Sequence, residues 1–246
     1  MTNVVISQSM LFPWVGTLEQ MLLADVFIHY DDVQFSKGSF TNRVQLKTEN
    51  GSRWMTVPLM GHKLGQAINE VKVQPSEKWI SKHLDSLKLS FSGSPYASEA
   101  INLASKVYFK EYEDIGSLSR QSMLGLADYY GLLEHTEMID AASLNITASS
   151  SERVLEIVKA VNGSCYISGH GALKYLNHDL FEQAGIEVAY MDYKRAKYPQ
   201  NYGVFNPYVS GLDLVANCGP EGRSRICSKA VYWKDFCDET SFNSDR

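Results

Sequence analysis

The sequence predicts an α/β fold, with a mainly parallel or mixed sheet flanked by helices and a helical segment in the middle of the chain. Two observations lead to this prediction. The first thirty residues read as strand, loop, helix and strand, which is a βαβ unit, and such units build parallel sheets. Beyond residue 136, strand and helix patterns alternate again. We therefore expect a single α/β domain over residues 1–235, a helical insert over about 76–132 and a frayed end at 236–246.

The N-terminal elements follow from local patterns. The β-branched run "NVVIS" (3–7) predicts a strand, and Gly16 opens a helical pattern that carries apolar residues at Leu18, Met21 and Leu22. The run "DVFIHY" (25–30) predicts the second strand, since it is rich in β-branched and aromatic residues. "NRVQLKTENGSRWMTVPLM" then predicts a hairpin, because its Asn50-Gly51 step is a strong two-residue turn signal.

Helical spacing dominates the middle third, in "EKWISKHLDSLKLSF", "SEAINLASKVYFKEY" and "LSRQSMLGLADYYG". After the strand candidate "TEMIDAASLNI", the chain alternates helix "SSSERVLEIVKAVNG", strand at 164–168, helix "GALKYLNHDLFEQAG" and strand at 186–192. We expect these strands to share one sheet with "NVVIS" and "VFIHY". The rest is a tail rich in Gly, Pro and Asn around a short helix "GLDLVAN".

Composition narrows the possible functions. The 246 residues carry a net charge of −5 and 44% hydrophobic residues, which is ordinary for a soluble globular protein and does not favour a nucleic-acid polymer as partner. No apolar run is long enough for a membrane span, so we expect a cytoplasmic protein with its four cysteines reduced. Phosphate-loop, dinucleotide and zinc motifs are absent, so no metal or cofactor is predicted, and the oligomeric state stays open.

A dense polar run begins where the second strand ends, at the edge where α/β sheets collect ligands. Asp31 and Asp32 start it, and they either cap the loop, bind a cation or act as a general base. Alternation along a strand sends them to opposite faces. Lys37 and Arg43 either form a solvated surface or bind a phosphate or carboxylate in one cleft, since Arg can bind such groups with two hydrogen bonds.

His170 lies between two glycines at a strand-to-helix turn, where anions are favoured. It joins Asp31, Asp32 and Lys37 as a catalytic candidate. We further predict one pocket, with the polar run as one wall, the tail as the other and an aromatic floor from Phe12 and Trp14; each of these groups has a structural alternative as core, cap or surface loop. The substrate-binding candidates are Gln8, Phe12, Trp14, His29, Gln34, Asn42, Arg43, Lys47, Gln200, Asn206, Ser210 and Asp213.

The motifs together resemble the WbqC-like family. The similarity rests on "SQSMLFPWVGTLEQMLLADVFIHYDDVQFSKGSFTNRVQLKT", "SGHGALKYL", "GIEVAYMDY" and "YPQNYGVFNPYVSGLDLVANCGP", and covers about residues 4–222. The chain departs from the pattern at Ser7, where the family pattern has His, at His170, where it has Pro, and at 209–212. The resemblance implies a role in making bacterial surface polysaccharides, such as O-antigen, and no particular mechanism.

Three functions remain open at this point. The first is a transferase that modifies an activated, nucleotide-linked amino sugar or related small amine by acyl or aminoacyl transfer; its partner would be a phosphate-bearing small molecule. The second is a nucleotidyl-transfer-like enzyme, which rests on fold analogy alone because the paired histidines of such domains are missing. The third is a non-catalytic carbohydrate-binding module.

Overall fold

Six strands form one sheet in the computed structural model, which describes residues 1–237. The strands of the chain are β1 (Asn3–Ser7), β2 (Val26–His29), β3 (Arg43–Thr48), β4 (Gly51–Thr56), β5 (Glu137–Asp140), β6 (Cys165–Ser168), β7 (Glu187–Asp192) and β8 (Lys229–Tyr232). The order in the large sheet is β5-β2-β1-β6-β7-β8. The first five of these are parallel, and β8 runs antiparallel to β7. The predicted α/β class and the shared sheet are confirmed.

Helices cover both faces of this sheet. They are α1 (Val15–Leu23), α2 (Ile80–Ser90), α3 (Ala97–Tyr108), α4 (Ile115–Tyr129), α5 (Ser150–Ala160), α6 (His178–Gln183) and α7 (Gly211–Cys218). Short 3₁₀ turns lie at Ile68–Glu70, Ser76–Lys78, Ala141–Leu144, His170–Lys174 and Gly219–Arg225. Thus α2, α3 and α4 occupy the predicted helical segment.

Two apolar cores follow from the alternation of side chains along the strands. Val5 and Phe27 point to the face packed by α1, α4 and α7, whereas Val4 and Val26 point to the face packed by α5 and α6. Because both faces are covered, the parallel strands are apolar on both sides. Full burial of a side chain such as Phe27 stabilises the fold by about 2–3 kcal/mol.

The hairpin β3–β4 forms a separate two-stranded sheet, with Thr48 paired to Gly51 across the turn. Gly51 has a φ of +96°, a conformation that L-residues rarely adopt and that glycine adopts freely. The hairpin is held by α2 on one side, where Ser90 donates to the carbonyl of Lys47 at 2.8 Å. On the other side the tail pairs with Gln45, whose carbonyl accepts from the amide of Ser210 at 3.0 Å.

The C-terminal part differs from the prediction in two respects. Strand β8 was not predicted, because its four residues are too few for a clear alternating pattern and form a strand by pairing with the edge of β7. We expected a frayed end at 236–246, but its first residue, Phe236, is buried against His170 and Tyr190. Residues 238–246 lie outside the described residues. Within residues 1–237, no helix is long and apolar enough to cross a bilayer.

Candidate functional site

The chain connections diverge at the carboxyl ends of β1 and β6. The chain leaves β1 toward β2 on one side, and it leaves β6 toward β7 on the other. In open α/β sheets such a divergence leaves a crevice, and ligands bind there. Gln8 follows β1 and His170 follows β6, and both side chains are only partly buried. The structure therefore places these two predicted site residues at the same edge of adjacent strands.

Three aromatic rings form a shelf beside this crevice, made of Trp14, Tyr193 and Tyr208. The Trp14 ring lies 4.9 Å from Tyr193 and 5.3 Å from Tyr208, measured between ring centroids. The backbone of Gly16 lies directly against the indole, where a Cβ atom would overlap the ring. The guanidinium of Arg195 lies 5.6 Å from the Tyr208 ring centre. The Trp14 ring is tilted by 51° to Tyr193 and by 52° to Tyr208, so this aromatic shelf offers several separate ring faces with a positive charge at one end.

His170 adjoins the shelf. Its ring centroid lies 5.1 Å from Tyr193 and 4.8 Å from Phe236. Nε2 lies 2.6 Å from the carbonyl oxygen of Met191, and because a carbonyl only accepts, Nε2 carries the proton. In the neutral ring, Nδ1 is then the nitrogen with the lone pair. His170 is therefore an oriented proton acceptor next to the shelf.

Asp31 belongs to a buried group that we call the β2-end network: Ser9, His29, Asp31, Arg120 and Asp140. Asp31 accepts from the Ser9 amide at 2.8 Å, from the Ser9 hydroxyl at 2.7 Å and from Arg120 at 3.0 Å. Arg120 also donates to Asp140 at 2.9 Å. Asp31 is fully buried with these partners, so it orders the strand end and has little room to act as a catalytic base.

His29 is the unusual member of that network. The Ser9 hydroxyl already donates to Asp31, so the 3.1 Å contact between His29 Nδ1 and this hydroxyl requires Nδ1 to be the donor. Nε2 is then an acceptor, and it is buried without a hydrogen-bond partner among residues 1–237. Burial, and next the charge of Arg120, lower the pKa of His29 to about 4. The ring is neutral near pH 7, and it is almost fully buried.

Asp32 points to the opposite face from Asp31, as strand alternation predicts. It forms an ion pair with Arg153 of α5, whose guanidinium lies 4.9 Å from the ring centre of Tyr30. Sequence reasoning missed Ser9, Arg120 and Arg153. Both arginines lie on helices far along the chain, and no local pattern links them to the aspartates.

The basic part of the polar run is dispersed. Lys37 and Gln34 are exposed, and the guanidinium of Arg43 donates to the carbonyl of Gly38 while it lies 4.0 Å from the ring centre of Trp54. Asn42 donates to the carbonyl of Val57 at 3.0 Å. Arg43 and Asn42 thus hold their own loop and hairpin together. The contacts do not bring Lys37 and Arg43 onto a common ligand.

The tail and Phe12, which were predicted to form the second wall and part of the floor of the pocket, also have partners within the fold. Phe12 is completely buried and packs edge-on against Tyr108 at 5.4 Å, so it belongs to the core and cannot form a pocket floor. Ser210 caps α7 by accepting from the amide of Leu212 at 3.2 Å. Asn206 reaches the hairpin through Gln45 at 3.3 Å and Ser52 at 2.9 Å. The tail therefore faces the hairpin and does not close over Asp31 and Asp32.

A second polar group lies beneath the tail, and we call it the tail cluster: Lys47, Tyr130, Tyr198, Gln200 and Asp213. Asp213 is almost completely buried, and burial raises its pKa to about 6. Burial also lowers the pKa of Lys47. In a close ion pair both shifts would run the other way. The two charges attract each other, but burial outweighs this attraction in both groups, and the ammonium of Lys47 donates to the carbonyl of Val204 at 2.7 Å.

Fold and edge together define an α/β protein whose chain connections diverge at the carboxyl edge between β1 and β6. The sequence matches the WbqC-like protein family over residues 8–225, and the chain belongs to this family. It is 29% identical over 224 residues to a protein named "Uncharacterized protein Rv1507c" of Mycobacterium tuberculosis (strain ATCC 25618 / H37Rv). The aligned region covers 90% of this chain and 96% of that protein. No solved structure matches the chain.

Proposed function

We propose that this protein is a transferase that modifies an activated, nucleotide-linked amino sugar or a related small amine by acyl or aminoacyl transfer. A role in surface-polysaccharide biosynthesis agrees with the association of the WbqC-like family. The observation that carries the proposal is the position of His170: an oriented proton acceptor adjoins an aromatic shelf at the strand-switch crevice.

The shelf suits the substrate. Aromatic faces attract flat apolar surfaces, which nucleobases and the C–H faces of sugar rings both offer. Arg195 stands at the Tyr208 end of the shelf, where its planar guanidinium suits a phosphate. A nucleotide-linked sugar presents a ring, a phosphate and a base in sequence, and it therefore matches the shelf better than an uncharged sugar does.

His170 supplies the proton transfer that amide formation needs. Only a free amine attacks, so the ammonium proton of the sugar passes first to Nδ1 of His170. The amine nitrogen then forms a bond to the carbonyl carbon of an activated acyl donor, such as a thioester. The bond from that carbon to the leaving group breaks with its electron pair, and protonated Nδ1 of His170 gives its proton to the leaving thiolate. The neutral Nδ1 then takes the surplus proton from the nitrogen and passes it to solvent.

The decisive experiment measures transfer and binding separately. The purified protein is incubated with UDP-linked amino sugars and thioester donors, and mass spectrometry detects a product heavier by the acyl group. We expect His170→Gln to reduce turnover by about 10²–10⁴-fold while UDP-sugar binding is retained. His135→Gln, an exposed histidine away from the shelf, is the matched control and should react as the wild type does.

A non-catalytic carbohydrate-binding module is the second candidate, because the shelf alone would suffice for it. In that case sugars bind to the wild type and to His170→Gln alike, Trp14→Leu abolishes binding, and no donor gives a product. Absence of any UDP-sugar binding by the wild type would exclude both candidates.

A further inference from the structure

A cleft of about 490 Å³ separates the β3–β4 hairpin from the tail. Lys47 and Ser52 line it on the hairpin side, and Phe205, Asn206 and Tyr208 on the tail side. Tyr208 also belongs to the aromatic shelf, so the cleft adjoins the shelf. A small molecule that enters there reaches Lys47, which is the member of the tail cluster that lines the cleft.

Three oxygen atoms of the tail cluster are buried and lack hydrogen-bond partners among residues 1–237: Asp213 Oδ1, Tyr130 Oη and Tyr198 Oη. Tyr198, Gln200 and Asn217 lie beside Asp213 and lower the pKa of its carboxyl. None of them reaches Oδ1 with good hydrogen-bond geometry. A buried polar atom left in this way costs about 1–3 kcal/mol, and a buried charge costs more. A bound polar group that reached these three atoms would remove that cost.

The kind of occupant follows from the atoms. Asp213 forms no ion pair within residues 1–237, so its negative charge calls for a cation. A primary ammonium group carries one positive charge and three N–H donors, which equals the number of unpartnered oxygens. The ring of Tyr198 packs edge-on against Phe205 at 5.3 Å, so aromatic surface also surrounds the position. A hydroxyl group would satisfy fewer of these oxygens and would leave the charge unbalanced.

Two sets of contacts separate this position from the cleft. The ammonium of Lys47 holds the carbonyl of Val204 at 2.7 Å. Gln200 and Asn206 exchange two hydrogen bonds, of 3.0 and 2.9 Å, across the base of the tail loop. Val204 itself is 88% exposed and packs on little else. The flanks of the loop are anchored as well, by Asn206 to the hairpin and by Asn201 and Tyr202 to the end of α2, so a way to Asp213 requires the tip at Val204 to lift.

We propose that the tail cluster is a recognition site for the primary ammonium group of a small molecule, which enters through the cleft between hairpin and tail. The ammonium nitrogen is bound by Asp213, Tyr130 and Tyr198. Two sources share this chemistry: the free α-amino group of an aminoacyl donor and the amine of an amino sugar. The site is separate from His170, so its occupation can be tested without any transfer reaction.

The test uses glycinamide and glucosamine as probes, with N-acetylglycinamide and N-acetylglucosamine as their uncharged counterparts. Calorimetry is done at about pH 7, where most of an α-amino group is protonated. We expect one of the amines to bind at least about tenfold more tightly than its N-acetyl counterpart, a difference of about 1.4 kcal/mol. Preference for glycinamide identifies an aminoacyl group, and preference for glucosamine an amino sugar.

Variants then locate the site. Asp213→Asn should weaken the binding of the favoured amine at least about tenfold, and Tyr198→Phe should weaken it several-fold. Asp128→Asn, an exposed acid on α4, removes the same charge elsewhere and should change nothing. His170→Gln should bind the amine normally even though it loses transfer, which separates this site from the proposed function.

Three results would overturn the proposal. The first is that neither amine binds the wild type at the highest soluble concentrations, and the second that amine and N-acetyl counterpart bind equally. The third is that folded Asp213→Asn and Tyr198→Phe bind as the wild type does. If Asp213→Asn does not fold, as judged by its melting curve, Tyr198→Phe decides the matter.

Discussion

Replacing Asp213 by Asn should make the protein more stable near neutral pH. The carboxyl is almost completely buried, and its pKa rises from 3.8 to about 6 on folding because burial disfavours the charged form. A carboxyl with a raised pKa stabilises the folded state fully below the pKa of the unfolded chain, and this contribution is lost as pH rises through the folded pKa. Asparagine has nearly the same shape and does not ionise.

The pKa shift sets the size of the effect. About two pKa units correspond to about 3 kcal/mol. One effect opposes it, because Asp213 is the third residue of α7, where a negative charge interacts favourably with the helix dipole by about 0.5 kcal/mol. The cost of burying the charge is larger than the helix-dipole interaction, so the free energy of unfolding of the variant should be about 2–3 kcal/mol higher at about pH 8. For a chain of this length that is about 5–10 °C in melting temperature.

Urea unfolding of both proteins, followed by tryptophan fluorescence between about pH 4 and 8, measures the effect. The two free energies of unfolding should nearly agree at about pH 4 and separate progressively up to about pH 7, as the carboxyl ionises. Asp128→Asn serves as the control and should follow the wild type at every pH. A constant difference across the whole range, or a variant less stable than the wild type at about pH 8, would refute the reasoning.

Three further predictions concern other parts of the structure. Arg120→Met removes the partner of fully buried Asp31 and should lower the free energy of unfolding by about 3–5 kcal/mol in urea titrations; a loss below about 1 kcal/mol would mean that the pair is dispensable. Gly16→Ala places a methyl group against the Trp14 ring, so it should shift the tryptophan emission and weaken UDP-sugar binding with α1 intact by circular dichroism; an unchanged spectrum and affinity would contradict the contact. Burial lowers the pKa of His83 to about 4, so His83→Gln should lose up to about 3 kcal/mol less than the wild type in urea titrations as pH falls from about 6.5 to 4, while the loss from His29 is common to both proteins; equal pH dependence of the two proteins would count against it.

Local periodicity was enough to predict most of the architecture. Alternating or β-branched runs marked four strands of the large sheet, and helical spacing marked the middle segment, because these repeats are set by residues only a few positions apart. The Asn50-Gly51 turn and the divergence of Asp31 and Asp32 have the same local origin. For the same reason, the polar run could be assigned to the carboxyl edge of the sheet from its place after "VFIHY" alone.

Tertiary structure alone decided which of those polar residues face a ligand crevice. Arg120 reaches Asp31 across 89 positions of sequence, and this contact turns a catalytic candidate into a buried structural group. Tyr193 and Tyr208 meet Trp14 only because β7 and the tail return to the start of α1. Burial of Asp213 beneath the tail likewise depends on the hairpin and α7 together. Partners so distant in sequence leave no periodic signal, since their contact is fixed by how whole elements pack and not by the residues next to them.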